Sequence, residues 1–185
     1  MLTLGTPMPA FSLPDTVSGR VLSSDALRSA PATVVAFICN HCPYVLHIQS
    51  ALAEFGRFCQ GRGVAFVAIS SNDVETYPQD GPELMAQEAQ RAGYVFPYLY
   101  DQSQAVAEAF QATCTPDFFV FDGAQRLAYR GQFDDSRPKN GKPVTGQDVR
   151  AAVEALLAGG APSPAQKPSI GCGIKWKGGV APAWA

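Results

Sequence analysis

Between Thr33 and Ile69 the sequence alternates in a way few folds accommodate. Thr33-Val-Val-Ala-Phe-Ile38 is an apolar, partly β-branched run of strand length, suited to a strand buried on both faces. After Pro43, apolar residues recur at Val45, Ile48, Leu52, Phe55 and Cys59, which places one stripe along a helix. Gly61 and Gly63 end that helix, and Val64-Ala-Phe-Val-Ala-Ile69 reads as a second buried strand. Strand, helix, strand is a βαβ unit, so the two strands are parallel members of one sheet.

The flanking sequence extends the pattern. Pro9, Pro14, Asp15 and Gly19 among short apolar stretches predict turns and a small N-terminal hairpin. Ser70 to Gly81 reads as a polar loop. Pro82 opens a helix that Gly93 closes, and a further helix carries Val106 and Phe110 with Asp101 or Ser103 as its cap. Thr113-Cys-Thr-Pro116 reads as a turn into the strand Phe118–Phe121, and Asp122-Gly123 returns the chain through Arg126–Arg130 as a hairpin. Thr145-Gly-Gln-Asp148 has the form of a capping box before a last helix with Val149, Val153, Leu156 and Leu157. The expected architecture is an α/β sandwich with a mixed central sheet over residues 1–158. Residues 159–185 hold four prolines, six glycines and three lysines with no acidic residue. They are expected to form a tail, partly docked through Trp176 and Trp184.

Composition excludes several classes of function. Of 185 residues, 16% are charged and the net charge is −2, so there is no basic footprint for nucleic acid or an anionic membrane. No apolar run reaches the ~18 residues of a spanning helix. The start lacks a charged and then apolar leader pattern, so the expected compartment is the cytoplasm. There, closely spaced cysteines are more often catalytic or metal-binding than structural.

Of the five cysteines, only Cys39 and Cys42 form C-x-x-C, in Cys39-Asn-His-Cys42-Pro43 between a buried strand and a helix. A thiolate is the reactive form, and the amides and dipole of a helix's first turn favour it. If Pro43 is the first helical residue, Cys42 is the N-cap and the nucleophile, with Cys39 as its partner. The other register makes Cys39 the N-cap and pushes Pro43 to the edge of what a first turn tolerates. The assignment to Cys42 requires its sulfur to be open to solvent and free of metal. His41 is either an electrostatic aid to the thiolate or a solvated loop residue. Cys59 lies on the apolar stripe and is a core residue. Cys114 and Cys172 are candidate resolving thiols; the alternatives are burial for Cys114 and tethering for Cys172. A zinc reading would use Cys39, His41, Cys42 and His47, although His41 and its neighbour Cys42 share a tetrahedron poorly. Covalent haem needs C-x-x-C-H and meets Pro43 instead. Asp134 and Asp135 read as solvated loop charges.

Phe37, Cys42, the helix that follows and the later Thr115-Pro116-Asp117 before a strand resemble the thioredoxin fold. Pro9-Ala-Phe-Ser-Leu, Ser71-Asn-Asp73, Phe96-Pro-Tyr98 and Val120-Phe-Asp-Gly123 resemble its alkyl hydroperoxide reductase / thiol-specific antioxidant branch. Asn40-His-Cys-Pro-Tyr-Val45 and Pro168-Ser-Ile-Gly-Cys-Gly-Ile-Lys-Trp176 resemble a peroxiredoxin-like subgroup labelled probable thiol–disulfide isomerase or thioredoxin. The resemblance implies a thioredoxin-like three-layer sandwich, a cis bond at Thr115-Pro116 facing the reactive thiol, and Cys42 in the place of thioredoxin's nucleophile. The implied activity is thiol–disulfide oxidoreduction on a protein or small-molecule disulfide, or on a peroxide, with a thiol electron donor and no cofactor. Two departures stand out: Val45 replaces thioredoxin's second cysteine, and Cys39 occupies the place of the peroxidase threonine. Arg130 and Arg137 are the candidates for a peroxidase guanidinium. The alternative class is a non-catalytic thioredoxin-fold binding module.

Overall fold

A computed structural model describes residues 2–179 and 181–184. The predicted βαβ unit is present as β3 (Ala32–Phe37), α1 (Pro43–Gly61) and β4 (Ala65–Ser70), after a two-stranded hairpin of β1 (Ser12–Pro14) and β2 (Val21–Ser23). Then come α2 (Pro82–Ala92), β5 (Tyr98–Tyr100), α3 (Ala105–Phe110), β6 (Cys114–Thr115), β7 (Asp117–Asp122), β8 (Leu127–Gly131), α4 (Gln147–Leu157) and β9 (Cys172–Gly173). The main sheet has the order β5-β4-β3-β7-β8. β3 pairs parallel with β4 and β4 with β5, while β7 runs antiparallel to both β3 and β8. The sheet is therefore mixed, as expected.

Period-two alternation divides the core. Val34 and Ala36 of β3, Phe66 and Ala68 of β4, and Phe118 and Val120 of β7 pack under α1, α2 and α4. Val35, Phe37, Val67, Ile69, Phe119 and Phe121 face α3 and the N-terminal hairpin. Phe110 of α3 meets Phe37, Phe119 and Phe121 edge-on at 5.4–5.9 Å between ring centroids, a favoured aromatic geometry. The whole predicted stripe of α1, from Val45 to Cys59, is buried.

Several local expectations change. The Thr145–Asp148 capping box does not form. Gly146 precedes α4 at φ 63°, where a Cβ would lie 2.5 Å from the Phe133 ring, so this turn requires glycine. The Asp134 carboxylate accepts the Thr145 and Gly146 N–H groups, both at 2.6 Å, while Asp148 accepts from Gln132 instead. Asp134 is thus a buried structural acceptor and not a solvated charge. Asp135 does lie nearer the surface, paired with Lys167 at 2.8 Å. Neither Asp101 nor Ser103 is the N-cap of α3, which is Gln104 at φ 65°, but both serve its first turn: Asp101 accepts from Val106 and Ala107, and Ser103 from Ala105. The polar loop after β4 is only partly solvated: Asn72, Asp73 and Asp80 are buried, while Glu75, Thr76 and Gln79 are exposed. Thr113–Pro116, read as a turn, contains β6, which pairs antiparallel with β9. No described helix is long and apolar enough to cross a membrane.

Candidate active site

Pro43 opens α1 and Cys42 is its N-cap, in extended conformation at φ −68° and ψ 121°, so the first of the two registers is the one adopted. Its missing N–H costs the helix nothing at that position. The Thr115–Pro116 peptide is cis. β6 and the cis bond bring Thr115 to the helix start: the Cys42 thiol donates to the Thr115 carbonyl oxygen at 3.1 Å, and Cys39 Sγ lies 3.5 Å from the Thr115 hydroxyl. β9 then lays Cys172 directly opposite Thr115. Cys39, Cys42, Thr115, Pro116 and Cys172 thus share one locus.

Ionised, Cys42 is surrounded by donors. The Cys39 thiol contributes most, followed by the Thr115 hydroxyl, the Cys172 thiol and the Val45 backbone N–H, and together they draw its pKa from 9.0 to about 4 against the opposing effect of burial. The Cys39 pKa moves strongly upward, because its proton is held by Cys42, because it is buried and because Asp80 lies nearby. Burial, then the contact with Cys42, pushes Cys172 up to about 11. Cys114 donates to the Pro116 carbonyl at 3.8 Å and, with Cys59, is pushed up to about 12 chiefly by burial. Cys59 is a core residue, as expected.

The structure contradicts the requirement of an open sulfur at Cys42, so the nucleophile assignment stands only if what covers Cys42 moves aside. Its residue exposure is 0%, and that of Cys39 is 1%. Sequence pattern places a thiol at a helix end but is blind to what returns from 130 residues away to lie beside it. Here that segment is the tail around β9.

His41 turns toward Cys39 rather than Cys42, with Nδ1 4.0 Å from the Cys39 sulfur. Nδ1 also lies 2.7 Å from Asp80 Oδ2, and the ring stacks on Tyr77 at 5.4 Å and 5°. Asp80 escaped the sequence reading. It is fully buried and also accepts the Asn40 N–H and the Asn72 amide, both at 2.8 Å. No spacing signal could have found it, since its partners lie 8 to 40 residues away. Among the described residues, Cys39, His41 and Asp80 form one group with ligand atoms within 4.8 Å of one another. Two ligands of a tetrahedral zinc stand roughly 3.3 Å apart, so the 2.7 Å between His41 and Asp80 is a hydrogen bond, not a coordination edge. His47 is elsewhere, 2.7 Å from Ser136, and does not join the proposed zinc set. Arg137 lines a shallow groove with Tyr44, Ile48, Pro116 and Ile170, and its guanidinium donates to the Asp134 and Ser136 carbonyls and to Gln132. Arg130 lies on β8, within electrostatic reach of Asp117.

Asp117, just after the cis bond, accepts from the Ser169 hydroxyl at 2.7 Å and the Thr113 N–H at 3.2 Å. Burial outweighs these donors and raises its pKa from 3.8 to about 6. A carboxyl with the higher pKa in the fold binds its proton more tightly there, so stability falls as pH rises from about 4 to about 6 and stays lower above that. The shift is worth about 3 kcal/mol. Asp117→Asn is expected to gain on wild type by up to that amount between pH 4 and pH 7 in urea unfolding. An equal difference at both pH values would refute the assignment.

An uncharacterized conserved protein from Geobacillus kaustophilus has 52% identity and a TM-score of 0.94, over 96% of this chain and 94% of its own. A hypothetical protein from Sinorhizobium meliloti has 50% identity and a TM-score of 0.93, over 96% of each. A thioredoxin-family thiol:disulfide interchange protein from Chlorobium tepidum, at 20% identity, shares the fold with a TM-score of 0.64 over 85% of this chain and 99% of its own. No curated protein matches the chain. The fold is thioredoxin-like, with a mixed central sheet and four helices. A family model described as Redoxin matches residues 3–147. That match spans most of the sequence and supports a thiol redox role, and on it the chain belongs to the Redoxin family.

Proposed function

We infer that the protein is a thiol–disulfide oxidoreductase with Cys42 as nucleophile and Cys39 as its exchange partner. One observation carries the reading: a sulfur at a helix N-terminus beside a cis-proline, gathered with Cys39, Thr115 and Cys172 into one locus, where neighbouring donors lower its pKa. The thiolate attacks one sulfur of a substrate disulfide; a Cys42–substrate disulfide forms and the other sulfur leaves as thiolate. Cys39 then loses its proton to solvent and attacks the Cys42 sulfur, which expels the second substrate thiolate. The substrate gains two electrons, the protein holds a Cys39–Cys42 disulfide, and a thiol donor reverses the exchange. Both electrons travel in sulfur–sulfur bonds, so no organic cofactor takes part. The five unpaired cysteines suit a reducing compartment such as the cytoplasm.

Alkylation of Cys42 against pH tests the reading, with the modified site identified by mass. The expected midpoint is about 4, so the rate is already pH-independent at neutrality. A midpoint at or above about 8.5, that of an ordinary thiol, would remove the activated nucleophile and leave a thioredoxin-fold binding module as the better description.

A further inference from the structure

This chain's own tail lies beside buried Cys42, with Cys172 of β9 opposite Thr115, whose carbonyl oxygen Cys42 meets at 3.1 Å. The segment is fixed at both ends. Upstream, the Lys167 carbonyl accepts the Gln132 N–H at 3.1 Å and Ser169 bonds Asp117. Downstream, the Lys175 N–H donates to Asn72 and its carbonyl accepts from Asp73, while the Lys177 N–H donates to Gln104. Between these anchors β9 crosses the site, two residues long and paired to Cys114 and Thr115, and buried Ile174 just after it donates to the Thr113 carbonyl at 3.3 Å. The crossing is close: a Cβ on Gly171 would stand 2.0 Å from the Thr115 carbonyl oxygen, the atom that Cys42 Sγ meets at 3.1 Å. Tail backbone and reactive sulfur thus converge on one carbonyl, and only glycine at 171 permits it. Cys172, half-buried, packs against the core cluster that contains Cys42.

We propose that residues 170–173, between the anchors, are a displaceable cover that closes Cys42 from substrate and presents Cys172 to it, so that Cys42 exchanges with Cys172 when the cover is closed and with Cys39 when it is open. This rests on Cys42 being the nucleophile. The short pairing, flanked by glycines and held by anchors outside the site, lets the middle of the segment lift without unfolding the sheet. A low-molecular-weight disulfide is the oxidant. Cys42 thiolate attacks it and one thiolate leaves; the returning Cys172 gives up its proton, attacks Cys42 Sγ and releases the second. One small disulfide becomes two thiols and the protein holds Cys42–Cys172.

The experiment compares full-length wild type, Gly171→Ala and Cys172→Ser. The alanine methyl cannot fit against Thr115, so Gly171→Ala is expected to alkylate at Cys42 at least about tenfold faster than wild type at pH 7. Peptide mapping after oxidised glutathione is expected to find Cys42–Cys172 in wild type and Cys39–Cys42 in Gly171→Ala. Cys172→Ser retains the strand, and is expected to alkylate slowly and to oxidise to Cys39–Cys42; it serves as the readout should the alanine variant fold poorly. Equal alkylation rates in wild type and Gly171→Ala, or a Cys39–Cys42 bond in wild type oxidised by glutathione, where no bound protein substrate props the cover open, would overturn the cover. The nucleophile reading fails separately, on the pH midpoint: an ordinary midpoint with faster alkylation in Gly171→Ala would leave a cover over an unactivated thiol.

Discussion

Cys42→Ser is expected to lose insulin-disulfide reduction to the uncatalysed background, a fall of at least about 10³-fold in turnover with reductant in excess. The size follows from the chemistry. A serine hydroxyl in the same place accepts and donates similar hydrogen bonds, so the fold is retained, but it does not ionise near neutrality and forms no bond with a disulfide sulfur. Donors that hold a thiolate there, Cys39 foremost, have no anion to stabilise in the variant. Cys39→Ser separates attack from release. Its hydroxyl still donates to Cys42, so the first exchange proceeds, while the mixed disulfide with insulin, whose bulk keeps the cover and Cys172 away, loses its neighbouring attacker and accumulates. Mass spectrometry of the quenched reaction should therefore find substrate bound to Cys42 in Cys39→Ser and none in Cys42→Ser. Peroxide consumption on the same proteins distinguishes the peroxidase alternative. The hydroxyl of a peroxidase threonine is absent at position 39, where the thiol of Cys39 already faces the Thr115 hydroxyl. Arg137 is engaged by carbonyls of its own loop. Peroxide turnover is accordingly expected to be much slower than disulfide reduction. Equal disulfide reduction by wild type and Cys42→Ser would remove Cys42 from the mechanism.

What could be read in advance was local. The βαβ unit shows in the sequence because strand and helix burial each have their own period, and α1 buries the whole stripe from Val45 to Cys59. The helix register was legible because proline tolerates so few helical positions, which left Cys42 as the cap. What escaped was carried by chain segments far apart. Asp80 looks like any loop carboxylate, yet the fold places it under the helix start, where buried N–H donors need an acceptor. Asp134 replaces a capping box that the local sequence spells out, because Gly146 must pass the Phe133 ring in a conformation that Thr145 cannot cap. The cover over Cys42 depends on a single missing methyl group at Gly171, whose meaning appears only beside Thr115. Composition marks the tail as unlike the rest of the chain but does not say what it lies on.

Asp80 is where the stability of this site concentrates, and Asp80→Ala is expected to cost about 3–5 kcal/mol of unfolding free energy. The carboxylate is fully buried and accepts three hydrogen bonds, from the Asn40 backbone, His41 Nδ1 and the Asn72 side chain. Alanine leaves all three donors facing an apolar gap, at roughly 1–3 kcal/mol for each donor that water cannot reach. Half-exposed His41 recovers part of its loss from solvent, whereas the Asn72 amide does not. Asp80→Asn retains one acceptor oxygen for the Asn40 N–H but turns an amide toward two donors, so it should fall between the two, near 2 kcal/mol. For a chain of this length the alanine loss corresponds to a drop of about 10 °C in Tm. The same carboxylate charge is one of the groups that keep Cys39 protonated. Removing it should therefore move the Cys39 alkylation profile to lower pH while that of Cys42 changes less, a readout that loss of stability alone would not produce. Urea unfolding with a cost below about 1 kcal/mol, or a Cys39 profile that does not move, would mean that Asp80 neither braces the helix start nor tunes the second thiol.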